Sequence, residues 1–269
     1  MAAKSLNSAG NTGTGSVSDN TQRIVTKTAN RSAQTNLNMP RRQNGDFKVR
    51  EAFRTLRSNI QFCGSEFKTI VLTSCIPNEG KSYVSMMCAE AFAELDNKKV
   101  LLIDADLRKS VLKKRMRMNN RKSKGLSHFL SGQASLSEVI LPSDRVENLD
   151  IIFAGPYPPN PSELLAGDMF RLGLQKLRDK YDYIIIDAPP IGSVIDAAII
   201  AKEADGTVMV IAANTVSYRL AQGAKEQLEK TGCRILGAVL NQVNVKESKY
   251  YGNYYGGYYG KYYGSYYGD

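Results

Sequence analysis

Apolar positions along this chain change their period from one region to the next, and the changes mark its organisation. Between residues 47 and 62, Val49, Phe53, Leu56 and Ile60 recur at three- and four-residue steps. That spacing predicts an amphipathic helix. From residue 68 onward, short β-branched runs that are almost wholly apolar alternate with helical patterns. Strands are predicted at 68–75, 99–105, 148–154, 183–187, 207–212 and 235–241. A helix is predicted over 81–95, and a long one from Pro161-Ser162-Glu163 to about Lys180. Runs this apolar are buried on both faces, as parallel strands under flanking helices are. The fold class that follows is α/β, a doubly wound and mostly parallel sheet, with ligands outside the carboxyl ends of its strands.

Both ends depart from this alternation. Residues 1–45 are rich in Ser, Asn, Thr and Gly and hold Lys4, Arg23, Lys27, Arg31, Arg41 and Arg42 against Asp19 alone, so half of the net charge of +10 sits there. A segment of that composition buries too little apolar surface to fold alone and is expected to be a disordered basic tail. The last twenty residues read YYGNYYGGYYGKYYGSYYGD. With Gly at every fourth position and no aliphatic residue, 246–269 is expected to be a flexible tail whose chemistry is its tyrosines. The body, 46–245, is one domain.

The loop Ser74-Cys75-Ile76-Pro77-Asn78-Glu79-Gly80-Lys81-Ser82 joins a predicted strand to a predicted helix. It ends in Gly-Lys-Ser, as a phosphate-binding loop does, but Cys75 stands where the usual spacing has its first Gly. Backbone N–H groups of such a loop form a nest for phosphate oxygens, and the helix behind it turns its positive end to the same anion. Lys81 is then placed to reach the outer phosphates, and the Ser82 hydroxyl to ligate Mg²⁺. Two more strands end in carboxylates: Leu101-Leu102-Ile103-Asp104-Ala105-Asp106-Leu107-Arg108, and Tyr183-Ile184-Ile185-Ile186-Asp187-Ala188-Pro189-Pro190. A lone Asp at a strand end is commonly a turn former. Three of them at the edge where the loop opens suit Mg²⁺ binding and orientation of an attacking hydroxyl.

These motifs together resemble the bacterial tyrosine kinases of capsule and exopolysaccharide synthesis, in their split, cytosolic form. The resemblance rests on DADLR, on IIIDAPP, on the terminal tyrosine cluster, on the Glu51-Ala-Phe-Arg54-Thr-Leu-Arg57 helix, on Gly125-Leu126-Ser127 and on the stretch from Gly155 through Pro158-Pro159-Asn160-Pro161 to Glu163-Leu164-Leu165. That family's loop also lacks the first Gly, so Cys75 fits it. The resemblance implies a P-loop NTPase fold of deviant Walker type and ATP with Mg²⁺ as cofactors. Its implied nucleotide contacts are Pro77, Asn78, Glu79, Gly80, Lys81, Ser82 and Tyr83, with Asn241 bordering the adenine. Lys81, Asp104, Asp106 and Asp187 would be catalytic, and Ser82, Asp104 and Asp187 would organise the metal. Glu51, Arg54 and Arg57 would join subunits into a ring. The phosphoacceptors would be Tyr250, Tyr251, Tyr254, Tyr255, Tyr258, Tyr259, Tyr262, Tyr263, Tyr266 and Tyr267. A membrane polysaccharide co-polymerase as activator and a cognate protein-tyrosine phosphatase complete the implied partners. The implied location is cytoplasmic, recruited to the inner face of the membrane.

Composition narrows the alternatives. No apolar run reaches the roughly 18 residues needed to cross a bilayer, and the first residues lack the apolar stretch of a secretory signal. The four cysteines show no CxxC spacing and are expected to be reduced. The positive charge invites a nucleic-acid partner, but none is expected, because such a reading leaves DADLR and IIIDAPP unexplained. An ATPase switch of the septum-placement or partition type shares the fold and motifs but has no use for the tyrosines. An iron–sulfur reductase of similar fold would need a bridging cysteine pair, and none is evident. Arg108 can serve a phosphate or an acid. The basic stretch 108–124 reads as a solvated helix face, and His128, the only histidine, as structural.

Overall fold

The computed structural model describes residues 44–116 and 123–243. The two terminal tails and their ten tyrosines therefore lie outside the described residues, apart from the first two residues of the domain-leading helix. That helix, α1, spans Asn44–Phe62 and begins three residues before the predicted start. Six of the strands match the periodic reading closely: β1 Thr69–Ser74, β2 Val100–Asp104, β4 Leu149–Ile152, β5 Tyr183–Asp187, β6 Gly206–Ala212 and β7 Arg234–Asn241. A seventh, the two-residue β3 at Leu141–Pro142, is too short to leave a period in the sequence.

The sheet runs β3-β4-β2-β5-β1-β6-β7, parallel throughout except for the antiparallel edge pair β3–β4. β1 and β5 lie at its centre, and β1 is buried along its whole length. Helix α1 and helix α2 (Lys81–Ala93) cover one face through Phe53, Ile60, Val84 and Phe92. The other face packs under α4 (Leu126–Leu130), α7 (Asp168–Arg178), α8 (Asp196–Lys202) and α9 (Tyr218–Glu229). Short turns α3 (Leu112–Arg115), α5 (Leu136–Val139) and α6 (Pro161–Ala166) fill the links. Each fully buried Ile or Leu contributes roughly 1.5–3 kcal/mol, so the two apolar layers dominate the stability of the sheet.

One prediction fails. The long helix from Pro161 is two helices, α6 and α7, because Gly167 between them is extended at φ −74, ψ 159. A glycine in a helix interior is costly enough for packing to break the helix there. The break lets α6 turn onto α8 while α7 follows the sheet.

The candidate nucleotide and catalytic site

The predicted phosphate loop leaves the carboxyl end of β1 and enters α2. Gly80, the residue before α2, has φ 86, and a side chain there would meet Asn241 Nδ2 at 2.2 Å. Only glycine meets both demands. The loop is anchored from inside by Glu79, which is buried. Its Oε2 accepts from Ile76 N–H at 2.8 Å and its Oε1 from Ala212 N–H, at the end of β6, at 3.0 Å. Glu79 therefore offers a ligand its backbone, while its carboxylate is committed to the loop's shape. Tyr83 similarly turns its ring toward α1, 6.0 Å from that of Phe53, and its N–H donates to Gly80 O.

The carboxylates arrive on neighbouring strands. Asp104 ends β2 and Asp187 ends β5, and the parallel register sets them opposite each other. Lys81 Nζ lies 2.9 Å from Asp106 Oδ2, 3.7 Å from Asp187 Oδ1 and 3.4 Å from Ser82 Oγ. Five of the predicted residues, Lys81, Ser82, Asp104, Asp106 and Asp187, are thus brought to one place. Ser85, one turn into α2, donates to Asp187 Oδ1 at 3.1 Å, and Ser110 donates to Asp104 Oδ2. Neither hydroxyl was distinguishable from ordinary polar residues in the sequence.

Electrostatics follow from this crowding. Burial pushes Asp104 up to about 8, and the nearby Asp187 carboxylate adds to the rise, with Ser110 and Lys81 pulling back. Burial likewise raises Asp187 above the usual carboxylate range, against the pull of Lys81 and the Ser82 hydroxyl. Burial disfavours the charge on Lys81, but Asp187 and Asp106 outweigh it and hold the amine above the ordinary lysine value. Asp104 Oδ1 is buried without a hydrogen-bond partner. An unsatisfied carboxylate oxygen beside a second carboxylate and a serine hydroxyl is a hard-oxygen donor set that fits Mg²⁺. No group of three His, Cys, Asp or Glu side chains among the described residues is placed to hold a metal alone. Ser82 and the phosphates of a nucleotide would complete the shell, as Mg²⁺ prefers.

The remaining candidates separate. Asn241 ends β7 beside the loop, with Nδ2 donating to Glu79 O at 2.9 Å. Arg108 pairs with an acid: Nε and Nη2 meet Asp196 Oδ2 and Oδ1 at 2.7 and 3.1 Å, and Nη2 also reaches Ser162 Oγ at 2.8 Å. Asp196 is buried and starts α8, a role its sequence surroundings did not signal. On α1, Arg54 pairs with Glu51 at 2.6 Å and with Glu94 at 3.0 Å, Arg50 also binds Glu94, and Arg57 Nη1 donates to Ala91 O at 2.6 Å. These arginines line a cleft of about 590 Å³ with Glu94, Leu95 and Asp96. It opens at the far end of α2, about 20 Å along the helix from the phosphate loop. In the basic stretch, Lys114 and Arg115 are exposed, whereas Lys113 binds Ser123 Oγ and lies over the Phe153 ring; residues 117–122 lie outside the described residues. His128 Nδ1 accepts from Gly125 N–H at 3.1 Å and serves the start of α4, as a structural histidine does. All four cysteines are free.

Comparison with known proteins places this arrangement. An AAA domain model matches residues 68–232. The chain is 42% identical over 208 residues to the tyrosine-protein kinase CpsD of Streptococcus agalactiae, spanning 77% of this chain and 90% of that protein. It is 38% identical over 204 residues to the tyrosine-protein kinase YwqD of Bacillus subtilis (strain 168), spanning 75% and 84%. The kinase domain of the Escherichia coli tyrosine kinase ETK superposes with a TM-score of 0.72 at 32% identity, covering 81% of this chain and 86% of that one. The chain belongs to the bacterial tyrosine-protein kinase family. Membership brings protein-tyrosine kinase activity with it. The septum site-determining protein MinD of Pyrococcus horikoshii OT3 superposes with a TM-score of 0.56 at 24% identity, covering 67% of this chain and 72% of that one, and shares the fold alone. The kinase-family chain matches only 27% of the E. coli kinase etk, at 35% identity over 203 residues. Among its described residues no helix is long and apolar enough to cross a membrane.

Proposed function

We propose that this kinase uses ATP and Mg²⁺ to phosphorylate the tyrosines of its own C-terminal segment, each subunit serving a neighbour, and that the modification regulates capsular or exopolysaccharide synthesis and export. The observation that carries the reading is the meeting of Lys81 with Asp106 and Asp187 at the carboxyl edge of the sheet, in a chain that ends in ten paired tyrosines.

The chemistry asks little of a base. A phenol with an ordinary pKa near 10 is protonated at neutral pH, and phosphoryl transfer depends on positioning and charge stabilisation. Mg²⁺, when bound, would neutralise charge developing on the phosphates. Asp104, at the end of β2 opposite Asp187, would orient the tyrosine hydroxyl or accept its proton once a bound cation favours its carboxylate form, with Asp106 alongside. On binding nucleotide, Lys81 exchanges carboxylate partners for phosphate oxygens. Pro77 to Ser82 supply the loop, and Asn241 borders the base.

Delivery from a neighbour suits a ring built through Glu51, Arg54 and Arg57. Each phosphate adds about −1.5 to −2 charge. The segment 250–269 carries only Lys261 and Asp269 unmodified, so several phosphates make it strongly anionic and loosen the ring by repulsion. A membrane co-polymerase would recruit and activate the kinase at the inner membrane face, and a phosphatase would reset it.

The test is incubation with ATP and Mg²⁺ followed by an anti-phosphotyrosine blot, with and without residues 250–269. Mixing Lys81→Met subunits that keep the segment with active subunits that lack it should yield phosphorylated Lys81→Met chains. Lys81→Met chains left unphosphorylated in that mixture, while active full-length chains are phosphorylated in a separate incubation, would refute transfer between subunits.

A further inference from the structure

Two residues with left-handed backbones face each other at the rim of the phosphate loop. Asn78 has φ 70 and Gln242 has φ 57, and neither is a glycine. This conformation costs free energy for any residue with a side chain and persists where surrounding contacts over-determine it. The contacts are present. Gln242 Nε2 donates to Asn78 O at 2.9 Å, and the preceding Asn241 Nδ2 donates to Glu79 O at 2.9 Å. Two successive side-chain amides at the exit of β7 thus hold two successive carbonyls of the loop.

The consequence lies on the other side of those peptide planes. In a planar trans peptide, the C=O of one residue and the N–H of the next point in opposite directions. Holding Asn78 O therefore orients the Glu79 N–H, and holding Glu79 O orients the Gly80 N–H, both away from the amide pair. Backbone N–H groups are the phosphate donors of such a nest. We infer that Gln242 is a positioning residue of the phosphate loop, presetting with Asn241 the peptide planes that present Glu79 and Gly80 N–H to the nucleotide. The left-handed turn at Gln242 is the cost of bringing its amide back to Asn78. The inference rests on the reading of 74–82 as the phosphate loop.

Gln242→Gly separates the amide from the strain, because glycine tolerates the left-handed backbone and has no side chain to donate. Gln242→Ala removes the amide and keeps the strain. Full-length wild type and both variants are titrated with Mg-ADP by calorimetry, and ATP KM, kcat and nucleotide-free Tm are measured. The Kd for Mg-ADP and the KM for ATP should rise about 3–10-fold in both variants, the effect of one lost hydrogen bond, with kcat within about twofold. The Tm of Gln242→Gly should match or exceed wild type, while that of Gln242→Ala falls. Unchanged Mg-ADP affinity in both variants overturns the inference. So does a Gln242→Gly protein whose Tm falls together with its affinity, since that marks a merely structural contact. If wild type itself binds no Mg-ADP, the phosphate-loop reading fails and takes this inference with it.

Discussion

Asp104 and Asp187 are register partners on adjacent parallel strands, and both are withdrawn from water. Two carboxylates so placed repel each other and lose hydration, and both effects disfavour their charged forms. Lys81 pairs with Asp106 and Asp187 at once, so one cation serves a crowded acidic cluster that a further cation would relieve.

Replacing Asp104 with Asn should make the protein without nucleotide more stable at neutral pH, by about 1 kcal/mol or more, since burial raises its carboxyl to about 8 and each pKa unit corresponds to about 1.4 kcal/mol. The same change should lower phosphoryl transfer by about 10²–10⁴-fold, the usual loss for a proton-transfer group. Urea denaturation and a phosphotyrosine time course check the two halves. A variant that is both less stable and fully active contradicts this account of the site.

Lys81→Met should abolish tail phosphorylation and also destabilise the empty protein. Removing one partner of a buried ion pair costs about 3 kcal/mol or more because the other charge stays buried. Its side chain is only 11% exposed and Asp187 1% exposed, so solvent screens the pair weakly. Thermal unfolding without nucleotide reads the loss.

Arg108→Ala should leave Asp196 buried with only the Ser162 hydroxyl, 2.6 Å away, and cost about 3 kcal/mol. The double variant Arg108→Ala, Asp196→Ala should be destabilised by clearly less than the sum of the singles, because no unpaired charge remains. Denaturation midpoints of the four proteins measure the coupling.

The arginines of α1 should divide into two kinds. Arg57 satisfies a carbonyl in the last turn of α2, so Arg57→Ala should lower stability by about 1 kcal/mol. Arg54 sits in a largely exposed pair with Glu94 and Glu51, which is worth at most about 0.5 kcal/mol after screening. Arg54→Ala should therefore unfold almost as wild type does, yet sediment as a smaller species if the ring is built through this helix.

Glu90 supplies a pH test away from the site. Burial raises its carboxyl above the ordinary value of 4.5, opposed by Arg145 and Arg50, and its Oε1 has no hydrogen-bond partner. A raised acid contributes stability that is present below pH 4.5 and is lost as pH rises through the folded value. Glu90→Gln should consequently flatten the fall in Tm between pH 4.5 and 7 and stabilise the protein at neutral pH by on the order of 0.5 kcal/mol, small because the side chain is partly exposed. A steeper fall in the variant would show that Glu90 is a stabilising anion instead.

The parallel strands, the loop between β1 and α2 and the strand-end aspartates were legible in the sequence by itself, because each depends on local pattern. Apolar runs ending in Asp declare both burial and the carboxyl edge of a sheet, and Gly80-Lys81-Ser82 marks the passage from strand to helix. Tertiary structure alone decided the partners. It split the helix at Gly167, gave Arg108 to Asp196, turned the Glu79 carboxylate inward to Ile76 and Ala212, and brought Gln242 back to Asn78. Apart from Glu79 with Ile76, these contacts join residues 88 to 164 positions apart, and a side chain's choice among distant donors and acceptors is made by packing. Local periodicity carries no record of it.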